Sequence, residues 1–179
     1  MVPAFMLSLL GRQRQLLGAR FSERYPSNWL VWEPGPWRPA RSETTSNSEA
    51  TQLPTSVPFA RPAGDDALCF ELKRAVCELT VGRGTENHIV VNDLTVSRGQ
   101  LRLEFVNGSW RVLTTHLVMV DGQPIGPQGA LLKNASAIVI GAVRLTFYEA
   151  EGFLLRLSGA ADSNAPALAG NLSPGTRIR

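Results

Sequence analysis

From Leu68 onward the chain is a succession of short β-prone runs separated by turn residues, and this punctuation restricts the fold more than any other feature. The runs are Leu68–Leu72, Cys77–Val81, Ile89–Val91, Leu101–Phe105, Trp110–Leu113, Leu117–Val120, Ala130–Leu132, Ala137–Ile140, Val143–Tyr148 and Phe153–Leu157. Runs this short, rich in branched and aromatic residues, suit strands rather than helices. Asn107-Gly108 is the strongest hairpin signal, because both residues tolerate the positive φ of a type I′ turn, and Asp121-Gly122 is a second. Evenly spaced short strands with turns between them predict an all-β sandwich of about 10–11 strands. No repeat of solenoid length interrupts the pattern.

The segments on either side read differently. Phe5 to Tyr25 carries Leu9, Leu10, Leu16, Leu17 and Phe21 at helical intervals, which predicts an N-terminal helix. A helix docked on its own domain or on a partner is favoured over a basic membrane-surface helix, since Gly11 and Gly18 weaken it in isolation. Three of the four tryptophans then fall between Trp29 and Trp37. In so proline-broken a stretch they need a surface to bury on, either the sandwich or another protein. Residues 40–66 are rich in Ser, Thr, Pro and Ala and read as a linker, and the tail from 158 to 179 reads as disordered. The expected division is therefore 1–39 as helix and Trp-rich extension, 40–66 as linker, 67–157 as sandwich and 158–179 as tail.

One stretch carries most of the chemistry: Val81-Gly82-Arg83 through Val96-Ser97-Arg98. Two strand fragments end at Gly82 and at Asn92-Asp93, and the loops beside them hold Arg83, Ser97 and Arg98. A fixed guanidinium beside a hydroxyl and a second arginine suits a tetrahedral dianion, because charge-assisted hydrogen bonds to phosphate are strong and the arginine fork is rigid. At these residues the sequence resembles the forkhead-associated (FHA) domain, a phosphothreonine-peptide reader. Gly82-Arg83, Ile89-Val90-Val91, Asn92-Asp93 and Val96-Ser97-Arg98 match that family's pattern in order and spacing, over roughly Ala67 to Leu157. The likeness is to bacterial single-FHA proteins with terminal extensions.

The resemblance implies a set of site residues. The family's loop arginine and serine hold the phosphate, which here are Arg83 and Ser97, with Arg98 beside them. A later Ser/Thr-x-Asn-Gly loop adds a hydroxyl and a peptide-orienting asparagine. Counted back from Val120-Asp121-Gly122, that loop is Thr114-Thr115-His116-Leu117. Thr115 matches the hydroxyl, His116 stands where asparagine is expected and Leu117 where glycine is expected. The family's structural histidine is Gln100 here, and its Asp-Gly-Asp turn is Asn134-Ala135-Ser136. The pocket is therefore partly degenerate.

The resemblance implies a phosphothreonine-dependent adaptor in Ser/Thr-kinase signalling, with a phosphothreonine-containing protein or a Ser/Thr kinase as partner. Glu43-Thr44-Thr45-Ser46 resembles the phosphorylated motif of small bacterial FHA regulators, so the chain's own Thr44 or Thr45 is a further candidate ligand. The rival reading is a scaffold that binds partners without phosphate, through the Trp29–Trp37 segment or a sheet surface.

Other classes fare poorly. No nucleophile elbow, P-loop or metalloprotease motif occurs, and His88 and His116 have no partner spacing for a metal, so neither an enzyme nor a cofactor is expected. The net charge of +3 is +4 from residues 1–41, whose six arginines face Glu23 and Glu33 alone, and −1 from the rest. The remainder is close to neutral, which does not suit a nucleic-acid platform. The first apolar run is too short to span a bilayer and its basic residues follow it, so a cytoplasmic protein is expected. Cys69 and Cys77 both sit in apolar strand patterns and read as buried free thiols.

Overall fold

The computed structural model describes residues 1–35 and 66–162. Its elements in chain order are β1 (Ala4–Met6), α1 (Leu7–Leu17), α2 (Arg20–Arg24), β2 (Asn28–Trp32), β3 (Leu68–Leu72), β4 (Glu78–Gly82), β5 (Ile89–Val90), β6 (Leu101–Val106), β7 (Ser109–Leu113), β8 (Met119–Val120), β9 (Gln123–Pro124), β10 (Ala130–Leu131), β11 (Ala137–Ile140), β12 (Val143–Tyr148) and α3 (Ala150–Asp162). The strands form two sheets, one of seven in the order β1-β3-β2-β12-β11-β8-β9 and one of five in the order β10-β7-β6-β4-β5. Pairing is antiparallel throughout except between β4 and β5, which run parallel.

Both predicted hairpins form. Asn107 and Gly108 take φ of 51° and 83°, and Asp121 and Gly122 take 51° and 80°. These paired left-handed residues match the twist of the flanking strands. They join β6 to β7 and β8 to β9.

The tryptophan segment is where the expected division fails. β2 lies between β3 and β12, with Leu30 opposite Phe70 on one side and Phe147 on the other. Alternate residues of β2 point to opposite faces, as strand geometry requires. Leu30 and Trp32 enter the core between the sheets, beside Phe70, Leu145 and Phe147. Trp29 and Val31 enter a second core on the other face, with Leu7, Leu10, Phe21, Phe153 and Leu157. A strand buried on both faces reads as a continuous apolar run, and β2 and β3 are buried at every position. The sandwich thus draws strands from both sides of the 36–65 stretch, whereas the sequence reading put 1–39 outside it.

The molecule consequently has three layers: helices, seven-stranded sheet and five-stranded sheet. The N-terminal helix is shorter than expected. Residues 4–6 pair with β3 instead, and Gly18, at φ 55°, separates α1 from α2. Leu10 and Phe21 are buried, but Leu9 and Leu16 face outward. The start of α1 is satisfied from the other side of the 36–65 stretch. Leu7 N–H donates to the Ala67 carbonyl at 3.0 Å, and Ser8 Oγ donates to Asp66 Oδ2 at 2.6 Å. A carboxylate at this end also suits the helix dipole.

Phe153–Leu157 is the other correction: it is part of α3 and not a strand. Phe153 and Leu157 fall one helical turn apart and both enter the second core, with Phe153 stacked on Trp29 at 4.4 Å between ring centroids. A short apolar run alone does not tell strand from helix. α3 runs to Asp162, so the expected tail from 158 begins as helix, and 163–179 lie outside the described residues, as does 36–65. Of the two free thiols, Cys69 is buried as expected and Cys77 is exposed, because it precedes β4 and lies at the strand's open end.

Candidate functional site

The site is built where β4 ends. Gly82 lies so close to the next loop that a β-carbon there would stand 2.2 Å from the Arg98 carbonyl oxygen. No side chain fits, so glycine is required by close approach. Past it, Arg83 N–H donates to the Ser97 carbonyl at 2.9 Å and Gly84 N–H to the Arg98 carbonyl at 3.0 Å. The two loops are thus zipped together backbone to backbone.

Asn87 clamps the same junction from inside. It is 5% exposed, and its Nδ2 donates to the Gly84 carbonyl at 2.8 Å and to the Arg98 carbonyl at 2.6 Å. Asp93, fully buried, shapes the second loop by accepting from Thr95 N–H at 2.8 Å and from Thr95 Oγ1 at 2.5 Å. Thr95 Oγ1 in turn accepts from Ala142 N–H at 2.8 Å, which ties this loop to the β11–β12 turn.

Gln100 joins the third loop. Its Oε1 accepts from Ser97 N–H at 2.8 Å, while its own carbonyl accepts from Thr114 Oγ1 at 2.7 Å. Thr114 Oγ1 also accepts from His116 N–H at 2.9 Å, closing a local turn of the kind threonine hydroxyls make. Gln100 Nε2 reaches the Leu117 carbonyl at 3.5 Å, a long contact.

The five residues singled out in the sequence therefore sit on three loops connected through Asn87 and Gln100. Arg83, Arg98, Thr115 and His116 are exposed and Ser97 is half-buried. Among the described residues the Arg83 guanidinium has no hydrogen-bond or ion-pair partner. Arg98 Nε faces Glu86 at 3.7 Å, with both side chains mostly in solvent, a pair worth little. Thr115 and His116 project from the turn that Thr114 closes. Leu117 is 78% exposed and is not among the residues with positive φ. The loop therefore does not use at Leu117 the left-handed conformation that glycine adopts readily.

His88 is exposed, as its place at a loop–strand junction suggests. Its Nδ1 accepts from Thr80 N–H at 3.1 Å, so the ring stands in for a ladder partner where β5 is too short to supply one. No group of three His, Cys, Asp or Glu residues that could hold a metal ion exists among the described residues. None of their helices is long and apolar enough to cross a membrane.

Sequence reasoning passed over Asn87 and took Gln100 only as a departure from the family histidine. Each has a buried amide in a loop, which costs free energy unless every polar atom is satisfied. An amide residue flanked by strand residues is the signal that could have marked them.

The two-sheet sandwich thus places an arginine and a hydroxyl on neighbouring loops at one end. Residues 79–141 match the family model of the FHA domain. No curated protein matches the chain. Among solved structures, the chain is similar to the FHA domain of a Chlamydia trachomatis protein, at 16% identity over 68% of this chain and 97% of that one, with a TM-score of 0.46. It is similar to the FHA domain of an Arabidopsis thaliana hypothetical protein at 19% identity, over 69% and 85%, also with a TM-score of 0.46. A third likeness is to Mycobacterium tuberculosis EmbR in complex with a low-affinity phosphopeptide, at 21% identity over 41% of this chain and 20% of that one, with a TM-score of 0.38.

Proposed function

We propose that the chain binds phosphothreonine-containing segments of a partner protein through Arg83, Ser97, Arg98, Thr115 and His116, and acts as an adaptor in Ser/Thr-kinase signalling in the cytoplasm, without catalysis or a cofactor. The observation that carries this reading is Arg83. Its backbone is pinned to the Ser97 carbonyl, while its guanidinium stands exposed and without a partner among the described residues. A held backbone with a free fork is what a phosphate ligand needs. The FHA match at 79–141 spans all five residues, and FHA domains read phosphorylated motifs with such arginines.

Two further features support the reading. Ser97 has its N–H engaged by Gln100 and its carbonyl by Arg83 N–H, so the hydroxyl is positioned without being consumed. Thr115 and His116 are exposed on the loop that Thr114 ties to the Gln100 carbonyl, and an imidazole can donate to a peptide carbonyl as an asparagine amide does. The self-recognition reading, with phosphorylated Thr44 or Thr45 as ligand, falls on residues outside those described and stands as a variant of the same proposal.

The phosphate-independent alternative loses Trp29 and Trp32 as contacts. Trp29 is 1% exposed and Trp32 8%, so neither is available to a partner, and Trp37 lies outside the described residues.

The test is titration of the full chain against a phosphothreonine peptide library, with unphosphorylated peptides as controls. The expected result is phosphate-dependent binding that Arg83→Ala removes and that Arg98→Ala only weakens. Equal affinity for phosphorylated and plain peptides would sink the reading.

A further inference from the structure

We infer that the outward face of α1 is a docking surface for an anionic lipid bilayer, separate from the peptide site. The observation is a pair of leucines in the wrong place. Leu16 is 86% exposed and Leu9 51%, although Leu7 and Leu10 of the same helix are buried. Residues seven apart fall within a few tens of degrees on one helix face, about 10 Å apart along the axis. The two leucines therefore crown α1 on the side away from the sheet. Burial of the inner face is complete without them, so the fold has no use for them where they stand.

Their surroundings are basic. Arg12 and Gln13 lie on the same outer face between the leucines, and Arg20 and Arg24 follow on α2, all exposed. Glu23 is the sole acidic residue between Leu7 and Arg24. The neighbouring α3 extends the surface. Arg14 donates from its guanidinium to the Leu154 carbonyl and to Ser158 Oγ, which fixes α3 alongside α1. On α3, Leu155 is 74% exposed, with the exposed carboxylate of Glu151 one turn before it, so the basic character belongs to α1 and α2. Leu9, Leu16 and Arg12 thus share the outer face of α1, and Arg20 and Arg24 are exposed just beyond Gly18.

That composition points to one occupant. Basic residues around protruding apolar side chains favour an anionic interface, where the leucines enter the headgroup boundary and the arginines pair with phosphate groups. The leucines stand proud of a convex helix. A fluid bilayer deforms to accept such knobs, whereas a rigid protein partner needs a matching groove. A second copy of the chain would bring like charges together. None of the described helices is long and apolar enough to cross the bilayer, so the association is peripheral.

The experiment is co-sedimentation of the full chain with vesicles of phosphatidylcholine alone and of phosphatidylcholine mixed with phosphatidylglycerol. Binding to the anionic vesicles is expected, falling steeply as salt is raised, with little to the neutral ones. Leu9→Glu with Leu16→Glu should abolish it. Arg12→Gln with Arg20→Gln should weaken it by about tenfold or more. Both pairs lie on the surface, so far-ultraviolet circular dichroism should be unchanged and phosphopeptide affinity preserved. Equal binding to neutral vesicles, no binding to anionic ones, or binding that survives loss of the leucines would each overturn the proposal. So would retention on polyglutamate that needs the same leucines in the absence of any vesicle binding, which would assign the face to an acidic protein.

Discussion

The side-chain oxygen of Gln100 accepts a hydrogen bond from the Ser97 backbone N–H at 2.8 Å. Through it, the residue that departs from the family histidine holds the loop on which the proposed phosphate contacts sit. Its carbonyl holds the third loop through Thr114. Gln100→Ala should leave Ser97 N–H and the adjoining loop without a partner. The expected cost is about 1–3 kcal/mol in urea unfolding, with a larger loss of phosphopeptide affinity than of stability, because the loop moves before the sandwich does. Amide resonances of Ser97 and Thr114 should shift together. Unchanged affinity in a folded variant would remove Gln100 from the site.

The loop from Thr114 to Leu117 predicts the behaviour of a second set of variants. His116→Asn alone should change affinity little, because Leu117 keeps the backbone out of the left-handed region. His116→Asn combined with Leu117→Gly should tighten binding severalfold, since glycine opens that geometry at little steric cost. Calorimetric titration of the single and double variants separates the two. A tightening already complete in His116→Asn would show that the loop shape is not what limits the site.

Stability should depend on the N-terminal residues. Trp29 stacks on Phe153 with an interplanar angle of 14° and is 1% exposed. Trp29→Ala should cost about 3–5 kcal/mol, the usual range for an aromatic deleted from a core. A fragment starting at residue 64 removes β2 from the middle of the seven-stranded sheet and leaves β12 paired with β11 alone. It should give no cooperative urea transition. A cooperative fold in that fragment would mean that β12 and β3 can close directly.

The thiols should differ sharply. Burial pushes the Cys69 thiol well above its ordinary value of 9.0, with Glu33 and Asp66 adding to the rise. Its folded form therefore holds the proton more tightly than the unfolded chain does. Its contribution to stability is fully present below the ordinary thiol value and falls as pH climbs beyond about 9. Tyr148, raised mainly by burial, adds in the same direction from about 10 upward. A thiol reagent at neutral pH should label exposed Cys77 quickly and Cys69 only on unfolding. Two equally fast thiols would contradict the buried position of β3.

The residues from Gly82 to Arg98 and the two hairpins were legible in the sequence because their constraints are local. Asn107-Gly108 and Asp121-Gly122 need positive φ wherever they occur, and Gly82 meets the loop only sixteen residues on. The strand runs from Leu68 to Tyr148 follow from β propensity and turn chemistry over a few residues each. These features were enough for the sandwich, the family resemblance and the loops of the candidate site.

What the tertiary structure decided is which apolar stretches share a core. Trp29-Leu30-Val31-Trp32 and Phe153–Leu157 are both short apolar runs, and nothing within either run says strand or helix. The first became a central strand because it can bury both faces, between β3 and β12 on its edges and between two cores above and below. The second became a helix because Phe153 and Leu157, one turn apart, cover the face that Trp29 and Val31 expose. Each needs the other, at a separation of more than a hundred residues, and such mutual burial leaves no trace in local periodicity. The role of Gln100 is of the same kind, since a buried amide takes its meaning from the two loops that close around it.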